Sequence, residues 1–269
     1  MAKQKSIMPV SGKLDDLIFS TGKYGANVQR APEAGLKKDQ PALKKNYTRT
    51  EFLNNLAGGI KDVVKAHGGK LKPSNFYHVV SSRFRKEPVN NRFVLIKLLE
   101  GMEVHPKYPL SKLSEAKLTV IPKKKMITVR LEVNDHPDTS VGTYKVNCYS
   151  YEVSLMCWVD DADRPLSFKK ESQWIFLKDD LLDFEFNFDR VEGTVEWLVC
   201  LKIKLGVDKK PISALIAEGM QIISAGSFNK KDIALWAKRE KERKEEERVV
   251  PVKADDDAMR VQAIGRRKR

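Results

Sequence analysis

The apolar residues of this chain repeat with one period up to about residue 100 and with a different one afterwards. Leu53, Leu56, Ala57, Ile60, Val63 and Val64, with Phe52 beside them, recur at three- and four-residue spacing, which marks a helix with one apolar stripe. Past Pro106 and Pro109 the spacing shortens to two: Ile127, Val129, Leu131 and Val133 alternate with Thr128, Arg130 and Glu132. A chain that switches once from helix period to strand period is restricted to segregated α+β architecture, because alternating βαβ units would interleave the two.

Local signals place the elements. Thr48 and Glu51 match a capping box, and Gly68-Gly69 supplies the left-handed stop of the first helix. A second helix is expected to open near Pro73-Ser74-Asn75 with Phe76, Val79, Val80 and Phe84 on one face, ending before Pro88. A third is expected over 91–100, stopped by Gly101; together the three read as a short helical bundle over 48–110. Strands are expected over 117–121, 127–133, 149–157, 173–177, 184–188, 195–205 and 219–224. With no helices between them they read as an antiparallel β-sandwich over 111–228, without the Cys–Trp–Cys pattern of an immunoglobulin domain.

The ends differ from this body. Residues 1–47 are cut by Gly12, Gly22, Gly25, Gly35, Pro9, Pro32 and Pro41 and read as an extended basic arm with a hairpin around 20–25. Leu17, Ile18 and Phe19 are its candidate docking residues. Residues 229–269 read as a charged helix, anchored by Ile233 and Trp236, and a flexible tail; 238–248 holds no apolar residue. Over 269 residues the formal net charge is +14, carried as +11 in 1–110, −2 in 111–229 and +5 in 230–269. Basic ends on a neutral body are expected where a chain meets a polyanion or an acidic protein surface. The candidate contact residues are Lys37, Lys38, Lys44, Lys45, Arg83, Arg85, Lys86, Arg92, Arg266, Arg267, Lys268 and Arg269.

Catalytic chemistry finds little footing. His67, His78, His105 and His136 are scattered, with no metal-ligand spacing to one another or to a cysteine. His67 precedes Gly68, where a cation complements the helix dipole. Cys148 and Cys157 are an odd number of residues apart on one strand and so face opposite ways, and nothing near Cys200 would activate a thiol. Asp160, Asp161 and Asp163, and Asp179, Asp180 and Asp183, lack the order of a calcium loop, and no phosphate-cradling loop is present. No catalytic, cofactor-binding or metal-binding residue is assigned, and no enzyme is expected. No apolar run reaches the roughly 20 residues of a membrane helix. Three cysteines and a start without a signal-type apolar stretch fit a cytoplasmic protein, or one incorporated into an assembled particle.

The opening Met1-Ala2-Lys3-Gln4, the run Gly12-Lys13-Leu14-Asp15-Asp16-Leu17-Ile18-Phe19 and the Arg49…Glu51-Phe52 helix entry resemble a family of uncharacterised Bacteroidota proteins with an N-terminal Gly-x-x-Asp-Leu-x-Phe segment and a β-rich C-terminal domain. Leu99-Glu100-Gly101-Met102-Glu103, Pro109-Leu110-Ser111 and Gly219-Met220 also fit, and Ser20 stands where that family has Tyr. The resemblance implies helices followed by a β-rich half, and no activity. The reading is a non-enzymatic interaction and assembly protein, a structural component of a bacterial or phage-like multi-protein complex. Its partners are protein subunits, itself included. The alternative is a protein that binds nucleic-acid backbone without sequence preference through its basic ends.

Overall fold

The computed structural model describes residues 2–3, 12–14, 17–22, 25–30, 41–71, 75–140, 144–160, 162 and 164–249. Lys37, Lys38, Arg266, Arg267, Lys268 and Arg269 lie outside these residues. The chain divides into two compact units, Met1–Thr50 and Glu51–Arg269.

The first unit holds four short strands, β1 (Ala2–Lys3), β2 (Gly12–Leu14), β3 (Leu17–Gly22) and β4 (Gly25–Arg30), in one antiparallel sheet ordered β1-β4-β3-β2. The expected hairpin forms, with Gly22 paired to Gly25. The segment read as an extended arm therefore carries its own sheet, since glycines at strand ends punctuate strands without abolishing them. Helix α1 spans Pro41–His67, starting before the expected Thr48. Pro41 sits at the first helical position, where its missing N–H deprives the helix of nothing. Thr48 is consequently interior to the helix and caps nothing: its Oγ1 donates to the Lys44 carbonyl one turn back, at 3.1 Å.

In the second unit the stripe of α1 is buried as its period demands, with Ala57 and Ile60 fully enclosed. Past the helix end a Cβ at Gly68 would meet the Val64 carbonyl at 2.5 Å, so the position needs glycine, and Gly69 follows at φ +61°. Helix α2 (Phe76–Lys86) buries Phe76, Val80, Ser81 and Phe84, while Val79 stays exposed. Helix α3 (Arg92–Lys97) buries Phe93, Val94, Leu95 and Ile96 in succession, and Asn91 caps it by accepting from the Val94 amide at 3.0 Å.

Nine strands follow: β5 (Lys117–Pro122), β6 (Met126–Glu132), β7 (Cys148–Val159), β8 (Leu166–Glu171), β9 (Ile175–Phe176), β10 (Phe184–Asp189), β11 (Thr194–Val207), β12 (Lys210–Pro211) and β13 (Glu218–Ser227). One sheet is β10-β6-β5; the other centres on β11 and β7, with β13 and β12 on the far side of β11, and β8 and β9 on the far side of β7. All pairings among the described residues are antiparallel, as expected, but one sheet curls into a half-barrel, which departs from the flat facing sheets of a sandwich. Strand β8 carries no clear alternation in sequence and was not expected; the expected strand over 173–177 contracts to β9.

The large sheet is covered on both faces. Tyr149, Tyr151, Val153, Leu155 and Cys157 of β7 and Trp197, Val199, Leu201, Ile203 and Leu205 of β11 pack on the small sheet. Met156, Trp158, Leu198, Cys200, Met220 and Ile222 form the opposite face and share a second core with α1, α2 and α3. The helices thus close no bundle among themselves; they roof the sheet. Helix α4 (Lys230–Val249) lies beside α3 and β13, where Trp236 packs on the helix-side core and Ile233 remains 47% exposed.

Candidate functional site

The last turn of α2 is basic, carrying Arg83, Arg85 and Lys86, and faces the middle of α4. Between them opens a cleft of about 310 Å³ lined by Arg83, Lys86, Glu87, Leu98, Arg239, Arg243 and Glu246. Its floor is an ion pair. Glu87, the residue that ends α2, is 5% exposed and accepts from Arg239 Nε at 2.8 Å. Arg239 also donates through Nη1 to Glu242 at 3.2 Å and Glu246 at 3.3 Å, and these bonds hold its guanidinium firmly charged. Arg83 donates to the Leu98 carbonyl at 3.2 Å, where a cation meets the negative end of α3. At the other end of α4, Asp232 accepts from the Asn91 side chain at 2.9 Å. The Glu87–Arg239 bond thus joins the two walls directly, and the bond to Asn91, the cap of α3, anchors the start of α4.

The charge of the cleft is unbalanced. Arg239 answers the carboxylates Glu87 and Glu246, whereas Arg83, Lys86 and Arg243 have no carboxylate at ion-pair distance among the described residues. Arg85 stands next to this group and donates to Asn54 Oδ1 at 3.4 Å. Arg92 is set apart: 15% exposed, it pairs with Glu196 at 2.7 Å and donates to the carbonyls of Asp160 and Ala162, so its guanidinium is occupied inside the fold. Lys44 and Lys45 are exposed on α1, in the first unit. Leu17, Ile18 and Phe19 lie on β3, with Leu17 37% exposed. Arg239 and Arg243 were missed because a helical stretch without apolar residues shows no face that a sequence pattern can orient.

A second charged group was also missed. Glu152, Lys202 and Lys204 alternate with apolar residues on β7 and β11, which reads as a solvent face, yet Glu152 is 1% and Lys202 2% exposed beneath the end of α1. Lys204 bonds Glu152 at 2.6 Å and Glu171 at 2.9 Å; Lys202 pairs with Glu218 at 3.0 Å and donates to the Gly68 carbonyl at 3.2 Å. Hydrogen bonds from Lys169 and Lys204 pull the Glu171 carboxyl down to about 2. His67 meets Ser167 Oγ at 3.2 Å, and burial, opposed by Glu152 and reinforced by Lys169, lowers its basicity. Burial thus disfavours the cationic His67 expected at the helix end. Each cation here has its anion, and the arrangement ties α1 to the sheet.

The three thiols are free and buried, Cys157 on the small-sheet side and Cys200 on the helix side. Burial pushes Cys200 up to about 12 and Cys157 up to about 11, far from a nucleophile's range. Among the described residues no three His, Cys, Asp or Glu side chains are grouped to hold a metal ion, and no helix is long and apolar enough to cross a membrane. No protein-family model matches the chain, and no curated protein matches its sequence.

Proposed function

We propose that this protein is a non-enzymatic interaction and assembly component whose basic cleft between α2 and α4 receives an acidic surface of another subunit. The observation that carries the reading is the contrast in how charges are used. The buried ion pairs under α1 and around Arg92 are matched internally, while Arg83, Lys86 and Arg243 line one cleft without carboxylate partners. The backbones that carry the three cations are fixed by packing, so an anionic partner has only side chains to order. Membership of a bacterial or phage-like complex is part of the same proposal and shares its test. The triple variant Arg83→Glu, Lys86→Glu, Arg243→Glu should abolish copurification of subunits that the parent chain retains, with cooperative unfolding kept at a midpoint lowered by loss of the Arg83–Leu98 bond. Retention of the same subunits by the variant would refute the role of the cleft. Capture of nucleic acid instead, with affinity collapsing between low and physiological salt, would favour backbone binding through the same cations.

A further inference from the structure

Strand β10 is an end strand of the small sheet, bonded to β6 on one side and open on the other. Its bonds show which backbone groups face the open side. Arg190, one residue past β10, donates its N–H to the carbonyl of Lys125, one residue before β6, so the even-numbered residues of β10 bond to β6. Odd-numbered residues therefore turn outward, and the Asn187 carbonyl does so: it accepts from Lys170 Nζ on β8. The N–H and C=O of Glu185 and the N–H of Asn187 have no partner among the described residues.

A groove of about 580 Å³ opens beside this edge, between Lys170–Gln173 and Leu182–Phe186. Leu182 is 39% exposed and Phe184 half-buried, so apolar surface lies uncovered there. The carboxylates of the groove are answered: Glu171 by Lys169 and Lys204, Glu185 by Arg130, and Asp183 by the Val133 N–H at 3.0 Å. Lys170 is not. Among the described residues its ammonium has a carbonyl and the face of Phe188, 5.5 Å from the ring centre, and no carboxylate at ion-pair distance.

We infer that the groove docks an extended peptide of another subunit, which adds to β10 as a further strand and brings an acidic side chain to Lys170. Outward N–H and C=O groups on a strand edge are matched by another extended chain. Residues of an added strand that lie opposite Phe184 and Phe186 point to the same face as those rings, so apolar residues at alternate positions cover Leu182 and Phe184. Lys170 meanwhile guards the edge, as lysines on open strands do, and the acidic side chain that draws it off Asn187 selects the partner. The groove shares no residue with the cleft between α2 and α4, and the inference stands apart from the role proposed for that cleft.

The probe is an acetylated and amidated hexapeptide, Thr-Val-Glu-Val-Thr-Val, added to the isotope-labelled full chain and followed by amide exchange. In the free chain the Glu185 amide should exchange faster than those of Phe184 and Phe186, and saturating peptide should slow it about tenfold. Glu185→Pro removes that N–H without touching the ladder to β6, and the exposed pair with Arg130 lost with it contributes little. It should weaken the peptide about tenfold, whereas Glu185→Gln, which keeps the N–H, should bind within about twofold of the parent. Lysine in place of the peptide's glutamate should weaken binding to the parent and strengthen it to Lys170→Glu. No binding at concentrations up to about 1 mM, or a Glu185 amide that stays fast with peptide bound, overturns strand addition. Protection that appears without peptide as the chain is concentrated overturns the peptide as occupant in favour of a second copy. Equal binding of the two peptides overturns the acidic requirement.

Discussion

Arg239 Nε lies 2.8 Å from Glu87 Oε1, so the residue that ends α2 is bonded to the middle of α4. The Glu87 side chain is 4% exposed and that of Arg239 13%. Truncating one member of so enclosed a pair leaves the other without compensation, which typically costs more than the pair itself contributes. Arg239→Ala should destabilise the chain by about 2–4 kcal/mol, and the double variant Arg239→Met, Glu87→Leu should recover much of that loss. Urea unfolding gives the energies. Amide exchange shows whether α4 opens separately; α4 protected as in the parent would contradict the role assigned to the pair.

Trp197 and Gly226 face each other across β11 and β13, and the indole occupies the space a side chain would need. A Cβ at Gly226 would lie 2.1 Å from the Trp197 ring. Gly226→Ala must therefore push the ring out of a well-packed core, at about 1–3 kcal/mol. In a chain with Trp158, Trp174 and Trp236 replaced by Phe, Trp197 fluorescence reports it. The emission should shift to the red in the variant, and Trp197→Leu, Gly226→Ala should lose less stability than the Gly226 change made alone. An unshifted emission would show that the strand yields in place of the ring.

How much of this was readable in advance depends on whether one or two faces of an element are covered. The stripe on α1 and the alternation in β6 each bury one face, and period alone finds them. Strand β11 is enclosed on both sides, so the alternation of Lys202 and Lys204 with apolar residues marks a covered face and no solvent face. Pro41 and the scattered glycines appeared to forbid order in the first unit, because breaker signals mark where elements end without saying how short they are. In the candidate cleft, Arg83 and Lys86 were visible as a cluster at a helix end. Their opposite wall was not, since Arg239 and Arg243 sit in a run where every neighbour is polar.

The thiols offer a test of the two-sided burial. With Cys200 pushed up to about 12, roughly one in ten thousand molecules carries a thiolate there at pH 8, and the sheet excludes reagent besides. Ellman's reagent should titrate none of Cys148, Cys157 and Cys200 in the native chain at pH 8, and all three in urea. Rapid reaction of one thiol would mean that the layer covering it opens well below global unfolding.

Acidification sets three groups against one another. His67 is lowered from 6.5 by burial, so below that pH the unfolded chain binds the proton more readily and stability falls with pH until the folded value is passed. Glu171, held near 2 against 4.5 by Lys169 and Lys204, contributes stability that is complete above pH 4.5 and lost between there and pH 2. Glu196 is raised by burial despite Arg92, so its charge destabilises at high pH and relief comes as pH falls through the raised value. Between the ordinary values of 6.5 and 4.5 the first effect lowers stability as pH falls, the third raises it, and the second is silent. His67→Gln should flatten the fall of the urea midpoint in that window, and Glu196→Gln should steepen it. Below pH 4.5 Glu171→Gln should flatten the remaining slope. A His67→Gln midpoint that falls as steeply as the parent's would show that the ring keeps its ordinary basicity at the end of α1.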